Sequence, residues 1–573
     1  MGAPVAAGWL AGDVSAGMIA TLGAFTSLYG VDRPYLNRAV LLAVIALAFA
    51  LVVCLGVSVQ HVPAAVVVVV VLIAMGTTFL CNSLAVGPPG GYLFTLSCAA
   101  GTALPTQHLD LWQVGLLVFA GGAFAWLVRM TGVLFRPRGP EIAAVMAAAE
   151  AVARFAEAMG TPRQDDMRHA AALALHDAWT KLVTLQPARA ARDPLLNRLR
   201  ASNRDLHLLF AQVIAAGGRI AGLESVAAAA RSLAGRATFP VSAAERGGDV
   251  PLGRHGMHEA IRESLRWHSS AGLATLRVGA ASAIAGAAGA ALGIERAYWI
   301  VAAAVVVLHQ GLDWTRTLQR GVERIAGTLV GLVLAGLILM LGPEGLWVAA
   351  ILAALQFIIE MLVVRNYALA VVFITAVALI IASGGRTDID VGHLLSARGV
   401  DTVIGCLIGL GVHGLTAPRR AAVPVPEEII GTLAALAAVL PFLARNELTS
   451  ASARRARRDL QHRAIVLVQA YDASVGATAG DRAFAERLWP AVVATQRLAY
   501  RILAACWSLE EGGQDAARDM ARFSDADLGI ARGALANIRD ALRTGVRPVL
   551  PSGLPPLLRD DLQALVDSLV LFA

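Results

Sequence analysis

The sequence predicts an all-α polytopic membrane protein. Of its 573 residues, 57% are hydrophobic and 16% charged, with a mean hydropathy of +0.64. Soluble domains average about 45–50% apolar and about 25% charged. Apolar runs of spanning length recur along two stretches of the chain, and nowhere do Val, Ile and Thr alternate with polar residues as in a strand. Length excludes a single soluble domain, and hydrophobicity excludes a disordered chain. Five cysteines in so long a chain exclude a disulfide scaffold, and Cys54, Cys81, Cys98 and Cys406 lie inside apolar runs as small hydrophobes.

Crossing a bilayer takes about 20 mostly apolar residues. Such runs lie near 10–29, 39–59, 62–82, 91–105 and 111–134, and then near 271–293, 297–310, 323–341, 345–363, 366–383 and 397–417. The runs at 91–105 and 297–310 are short. Between the two sets lies a polar block, and a second polar block follows Pro418. Both blocks repeat apolar residues at three-to-four spacing, with Arg, Asp and Glu on the opposite face, which predicts amphipathic helices. Pro162, Pro187 and Pro240 punctuate the first block, and Pro490 falls inside a helical pattern of the second. The expected domains are a first transmembrane bundle at 1–134, a helical domain at 135–270, a second bundle at 271–417 and a C-terminal helical domain at 418–573.

Charge orients these blocks. The formal net charge is +7, almost all the positive charge is arginine, and Lys181 is the only lysine. These arginines alternate with acids along helices and form no aromatic-interleaved basic stripe, so nucleic acid is not an expected partner. Arg129, Arg136 and Arg138 close the first bundle, Arg262 and Arg266 open the second, and Arg419 and Arg420 close it. By the positive-inside rule both helical domains are cytoplasmic, the bundles run in the same direction, and the protein is multi-pass. The two bundles therefore read as a parallel repeat of about five plus six helices. Ahead of the segment matching the second bundle's short run, the first bundle has only about ten residues, so a late start or a missing first helix is expected.

Motifs follow in order along the chain. Leu22-Gly23-Ala24-Phe25 precedes Pro34-Tyr35-x-x-Arg38, and Tyr298-Trp299 opens a short apolar run. Arg324-x-x-Gly327-Thr328-x-x-Gly331 follows an arginine-rich elbow. Arg365-Asn366-Tyr367 then opens the next-to-last span and Arg398-x-x-Asp401-Thr402-x-x-Gly405 the last. Together these resemble the FUSC family (fusaric acid resistance protein-like), related to the aromatic acid exporters and more distantly to plant aluminium-activated malate transporters. The resemblance covers essentially the whole chain and departs from the family pattern at the absent first helix. It implies export of organic anions, chiefly aromatic carboxylates of the fusaric acid or hydroxybenzoate type, across a bacterial inner membrane. In Gram-negative relatives it also implies a periplasmic adaptor protein beside the exporter.

No enzyme constellation emerges from the residues. There is no phosphate-binding Gly-rich loop, no His-Glu-x-x-His and no paired Cys-x-x-Cys, so neither a cofactor nor a metal is expected. His255 and His258 stand three apart on a Gly-rich linker. Ionisable groups within apolar runs are the informative ones, because a charge in the bilayer interior is costly unless it faces a pathway or a partner. Four are candidates for the substrate or ion pathway. Arg277 could bind a carboxylate bidentately or snorkel to the interface. His309 could exchange protons near neutral pH or pack against a helix. Arg398 and Asp401 share one face of the last span and could pair with each other, or Asp401 could titrate during transport. Arg316, Arg320 and Arg324, at four-residue spacing after Asp313, are candidates for an anion-gathering cytoplasmic mouth, or form a solvated flank.

Gly289-x-x-x-Gly293, Gly327-x-x-x-Gly331 and Gly405-x-x-x-Gly409 give small faces for helix packing, and Tyr298-Trp299 is expected to anchor at the outer interface. Glu360 and Arg365 bracket a turn, and Asp13 either sits in a span or lies in a loop between two helices. The primary functional reading is a gradient-driven exporter of organic anions. The alternatives are an anion channel of the malate-transporter type and a non-transport membrane scaffold or sensor. Expected partners are small organic anions and the lipid bilayer, with a homo-oligomer left open.

Overall fold

The computed structural model describes the chain except residues 103, 105–108, 187–192, 217–222, 239–260, 263, 266–268, 292–297, 310–313, 363–365, 384–390, 417–424, 476–478, 521–523 and 570–573. The described residues form helices and connecting turns, with no strand among them. They fall into two compact units: Met1–Pro137 with Gly256–Arg419, and Arg138–His255 with Arg420–Ala573. Seven helices are long and apolar enough to cross a membrane.

The first unit holds both apolar stretches. Its first half runs α1 (Gly2–Leu10), α2 (Val14–Ala24), α3 (Tyr35–Val59), α4 (Pro63–Ser83), α5 (Tyr92–Gly101) and α6 (Leu111–Met130), followed by the single turn α7 (Gly132–Phe135). The sequence sets these boundaries. The Asp13 carboxylate accepts from the Ala16 amide at 2.9 Å and caps α2, so Asp13 lies in the loop between two helices. Pro63 opens α4, where its missing N–H costs nothing. Asp110 and Gln113 close a capping box on α6. Four helices of the other unit intervene. The second half then runs α12 (Ser270–Ala291), α13 (Tyr298–Leu308), α14 (Trp314–Met340), α15 (Leu346–Leu362), α16 (Tyr367–Ala382) and α17 (Val391–Thr416).

The two halves repeat one packing plan. In the first, α1 packs on α2, α2 on α6, α3 on both α5 and α6, and α4 on α5; in the second, α12 packs on α13, α13 on α17, α14 on both α16 and α17, and α15 on α16. The halves also exchange their first helices, since α1 packs on α15 and α12 packs on α4. A helix therefore stands where the sequence reading has none in the first repeat. It is α1, with nine residues against twenty-two in α12.

Small residues make the tight crossings possible. A Cβ at Gly405 would strike the Ile300 carbonyl of α13, and one at Gly121 the Ala20 carbonyl of α2. Gly327 and Gly331 stand against the Ala368 and Val372 carbonyls of α16, each 2.6 Å from where a Cβ would sit. These small faces pack within the chain, as their spacing predicts.

The second unit is a helical assembly of α8 (Gly139–Glu157), α9 (Gln164–Trp179), α10 (Pro194–Ala216), α11 (Leu223–Thr238), α18 (Val425–Ala444), α19 (Ala451–Val475), α20 (Ala479–Met520), α21 (Asp525–Thr544) and α22 (Pro556–Leu569). The π-helical turn Thr180–Thr184 continues α9, and α20 runs through Pro490. Phe155, Phe210 and Tyr500 meet in its core, with ring centroids 5.4 Å and 5.1 Å apart. Helix α18 has spanning length and a mean hydropathy of 1.7, yet its apolar face is buried against α19, α20 and α21 in this core. Length and composition alone do not separate such a helix from a span. The buried carboxylates described here are paired: Asp561, fully buried, accepts from Arg497 Nε at 2.5 Å and lies 3.1 Å from Arg501 Nε. Arg138 holds Glu141 at 2.8 Å and Asp193 at 2.6 Å.

Candidate functional site

Among the helices of the first unit too short to span, α5 and α13 are almost wholly enclosed. Helix α13 has eleven residues, all buried, and α5 has ten, nine of them buried. At 1.5 Å per residue each reaches only about half of a roughly 30 Å hydrocarbon core. They pack on one another. The C-terminal end of α13 meets the N-terminal end of α5: the His309 and Tyr92 rings lie 6.0 Å apart, and Asn82 of α4 donates to the His309 carbonyl at 3.2 Å. Tyr29 fixes the connecting turn by donating to the Gly90 carbonyl at 2.7 Å. Half-helices meeting in the protein interior are a recurrent way for membrane carriers to bring backbone ends and polar side chains to a binding site.

Charged side chains gather around this junction. Arg324 of α14 is 1% exposed, and its Nη2 donates to the Tyr92 hydroxyl at 3.5 Å. The Tyr367 hydroxyl at the start of α16 is close enough to act on the same guanidinium. Arg398 of α17 is 2% exposed, its guanidinium carbon 3.5 Å from the centre of the Trp299 ring. Such a contact is strong when desolvated. The charges of Arg324 and Asp401 act on Arg398, and Asp401 is 1% exposed. Among the described residues of this unit, the buried charged groups are Arg38, Arg324, Arg398 and Asp401. These are three guanidiniums and one carboxylate. Arg38 donates to the Val31 carbonyl at 2.5 Å with its guanidinium over the Tyr35 ring, and its Nε is without a hydrogen-bond partner. Among the described buried groups around the junction, Arg324 and Arg398 against Asp401 leave an excess of one positive charge.

The structure brings several of the residues named from the sequence together. His309, Arg398 and Asp401 are buried at or near the junction, and so is Arg324, which the sequence places at a mouth. The elbow is the start of α14 rather than a loop, and burial increases along it: Arg316 is exposed, Arg320 lies over the Tyr367 ring at 4.6 Å, and Arg324 is enclosed. Arg277 is not brought to the others; it is half-exposed on α12 and donates to the Thr416 carbonyl at the end of α17 at 3.4 Å. Tyr298 and Trp299 do not anchor at an interface, because all of α13 is enclosed by its neighbours. His108, His255, His258, Arg266, Gly293, Asp313, Arg365, Arg419 and Arg420 lie outside the described residues. Sequence reasoning missed Tyr92, Tyr367 and Asn82 as site residues. A tyrosine opening an apolar run looks like an interfacial anchor until its partner is known. Among the described residues no group of three His, Cys, Asp or Glu side chains is placed to hold a metal ion.

Comparison with known proteins bears on this region. Residues 283–412 match the family described as fusaric acid resistance protein-like. The match runs from α12 to α17, the half that carries Arg324, Arg398 and Asp401. The resemblance read from the motifs of the second bundle is thereby shown, and the family supports a membrane transport role in the broad sense. The chain is also 29% identical over 560 residues to the uncharacterized membrane protein YvaC of Bacillus subtilis (strain 168), covering 92% of this chain and 86% of that one. It is 33% identical over 130 residues to the uncharacterized protein YhfK of Escherichia coli (strain K12), covering 22% and 18% of the two chains. No solved structure matches.

Proposed function

We propose that the protein exports organic anions, aromatic carboxylates foremost, across a bacterial inner membrane at the expense of an ion gradient. The observation that carries this reading is the excess of buried positive charge at the junction of α5 and α13. An uncompensated charge held away from water costs several kcal/mol, and a bound carboxylate removes that cost. Arginine suits the task because it never deprotonates and presents a planar fork of donors. The rings of Tyr92, Trp299 and Tyr367 stand beside the two cations and offer faces to an aromatic acid.

Directionality is supported by Arg316, Arg320 and Arg324, which lead from the exposed start of α14 to the junction and would draw anions inward from a cytoplasmic mouth. Asp401 and His309 are the groups assigned to proton coupling. The family supports transport, and its described name supports the substrate class.

The test is efflux of preloaded radiolabelled hydroxybenzoate from cells expressing the full chain, with and without a protonophore. Uphill export that stops when protons equilibrate is the expected result. Asp401→Asn and His309→Ala should abolish uphill export while sparing binding, and full uphill export by both would remove them from the mechanism. Fast downhill flux indifferent to the protonophore would replace the carrier with a channel.

A further inference from the structure

We propose that Arg324, Tyr92 and Tyr367 form a single oxyanion-binding cradle, one per chain, in which each half of the membrane unit supplies one phenol donor. The inference rests on the anion reading of the junction and adds which atoms bind and how many anions are held.

The cradle is built from donors. Arg324 donates to the Tyr92 hydroxyl at 3.5 Å, and the Tyr367 hydroxyl is close enough to act on the same guanidinium. A phenol oxygen that accepts from a guanidinium keeps its own O–H to give. Arg324 Nε has no hydrogen-bond partner although the side chain is 1% exposed. No ion pair joins Arg324 to a carboxylate among the described residues, and nearby Arg398 leaves Nε and Nη1 without hydrogen-bond partners. One guanidinium fork and two phenolic hydrogens therefore stand together with no carboxylate paired to Arg324 among the described residues. A carboxylate or another oxyanion supplies acceptors alone and matches that set.

The number of sites follows from the repeat. A shift of 275 residues carries Tyr92, the first residue of α5, onto Tyr367, the first residue of α16. The same shift carries Gly56 onto Gly331, and each of these glycines stands against a backbone carbonyl of the helix its tyrosine opens, at Cys98 and Val372. It also carries Phe49 onto Arg324. Phe49 is fully buried, stacked on Phe94 at 4.6 Å and edge-on to Tyr29 at 6.1 Å. The first half thus has aromatic packing where the second has its cation, and its tyrosine turns instead to the cation of the other half. Two repeats build one site.

The test uses the purified full chain in detergent, titrated with benzoate, acetate and inorganic phosphate while the thermal midpoint and bound radiolabelled benzoate are followed. At least one of these oxyanions should raise the midpoint, with one equivalent bound per chain. Tyr92→Phe and Tyr367→Phe should each weaken that binding about tenfold, because each removes one hydrogen bond to a charged group while keeping the ring. Arg324→Gln should abolish it, and Phe49→Leu should leave the single site in place. Wild-type affinity in both tyrosine variants, two equivalents per chain, or no stabilisation by any of the three anions would overturn the cradle. Oxyanion binding at this site without protonophore-sensitive efflux would overturn the transport reading and leave the cradle standing.

Discussion

A guanidinium 3.5 Å from the centre of an indole ring, as Arg398 stands to Trp299, is held by a ring face in a place that water does not reach. The cation is legible in the sequence because a charge inside an apolar run stands out. Its aromatic partner is not, because Trp299 lies on another helix far earlier in the chain and tyrosine–tryptophan pairs at the start of a run usually mark an interface. His207 in the second unit shows the complementary case of a titratable group kept neutral. Burial lowers its pKa from 6.5 to about 4, its Nδ1 donates to the Asn203 carbonyl at 2.7 Å, and Gln461 donates to its Nε2 at 2.9 Å. His176, beside His462, is lowered to about 4 in the same way. Because the folded values lie below the unfolded ones, the unfolded chain takes up protons first as pH falls below 6.5. Stability of the second unit should therefore be at full value above 6.5 and decline as pH drops toward 4, by up to about 3 kcal/mol for His207. His207→Gln keeps an acceptor for Gln461 without a titration, so the decline of its unfolding midpoint over that range should be shallower. An identical decline would assign the acid sensitivity elsewhere.

Among elements, hydropathy finds every long helix of the membrane unit, and the shortest runs are informative for a reason that only packing reveals. Helices α5 and α13 are short because they are interior and meet near His309, not because a span is incomplete. The arginine elbow reads in sequence as one stripe of a helix at the edge of a span. In the structure Arg316, Arg320 and Arg324 fall on one stripe of α14, whose polar face hides the helical continuation from a hydropathy window. The same spacing arguments predict which glycines are indispensable. A side chain at Gly405 meets the Ile300 carbonyl, which is backbone and cannot step aside, whereas one at Gly411 on the same helix meets nothing within 4 Å. Gly405→Val should prevent α17 from closing on α13, with the chain recovered aggregated or with a strongly lowered thermal midpoint. Gly411→Ala should leave the midpoint unchanged or raise it slightly, since alanine favours the helix by roughly 1 kcal/mol over glycine. Equal tolerance of both changes would mean that the α13–α17 crossing does not hold the unit together.

For the whole molecule, order along the chain and order in space differ. The sequence divides it into membrane, polar, membrane and polar blocks, and the structure joins the first with the third and the second with the fourth. No local pattern announces that pairing, because each block alone has enough apolar residues to suggest a core of its own. The contacts show why it is needed. In the membrane unit α12 lies on α4, α1 on α15, and α5 on α13, so the first half buries faces that only the second half can cover. In the other unit Phe210 of α10 packs edge-on against Tyr500 of α20, and Gln461 of α19 bonds His207 of α10. Each half of the chain is therefore an incomplete version of both units. Cutting the connection within 239–255 to give residues 1–255 and 256–573 as separate chains should yield two products that aggregate or are degraded alone. Co-expressed, they should copurify and restore oxyanion binding, because the Arg324 cradle takes Tyr92 from one product and Tyr367 from the other. A folded, monomeric product from either half alone would show that the exchange of helices between the halves is dispensable, and with it the requirement that both repeats complete one site.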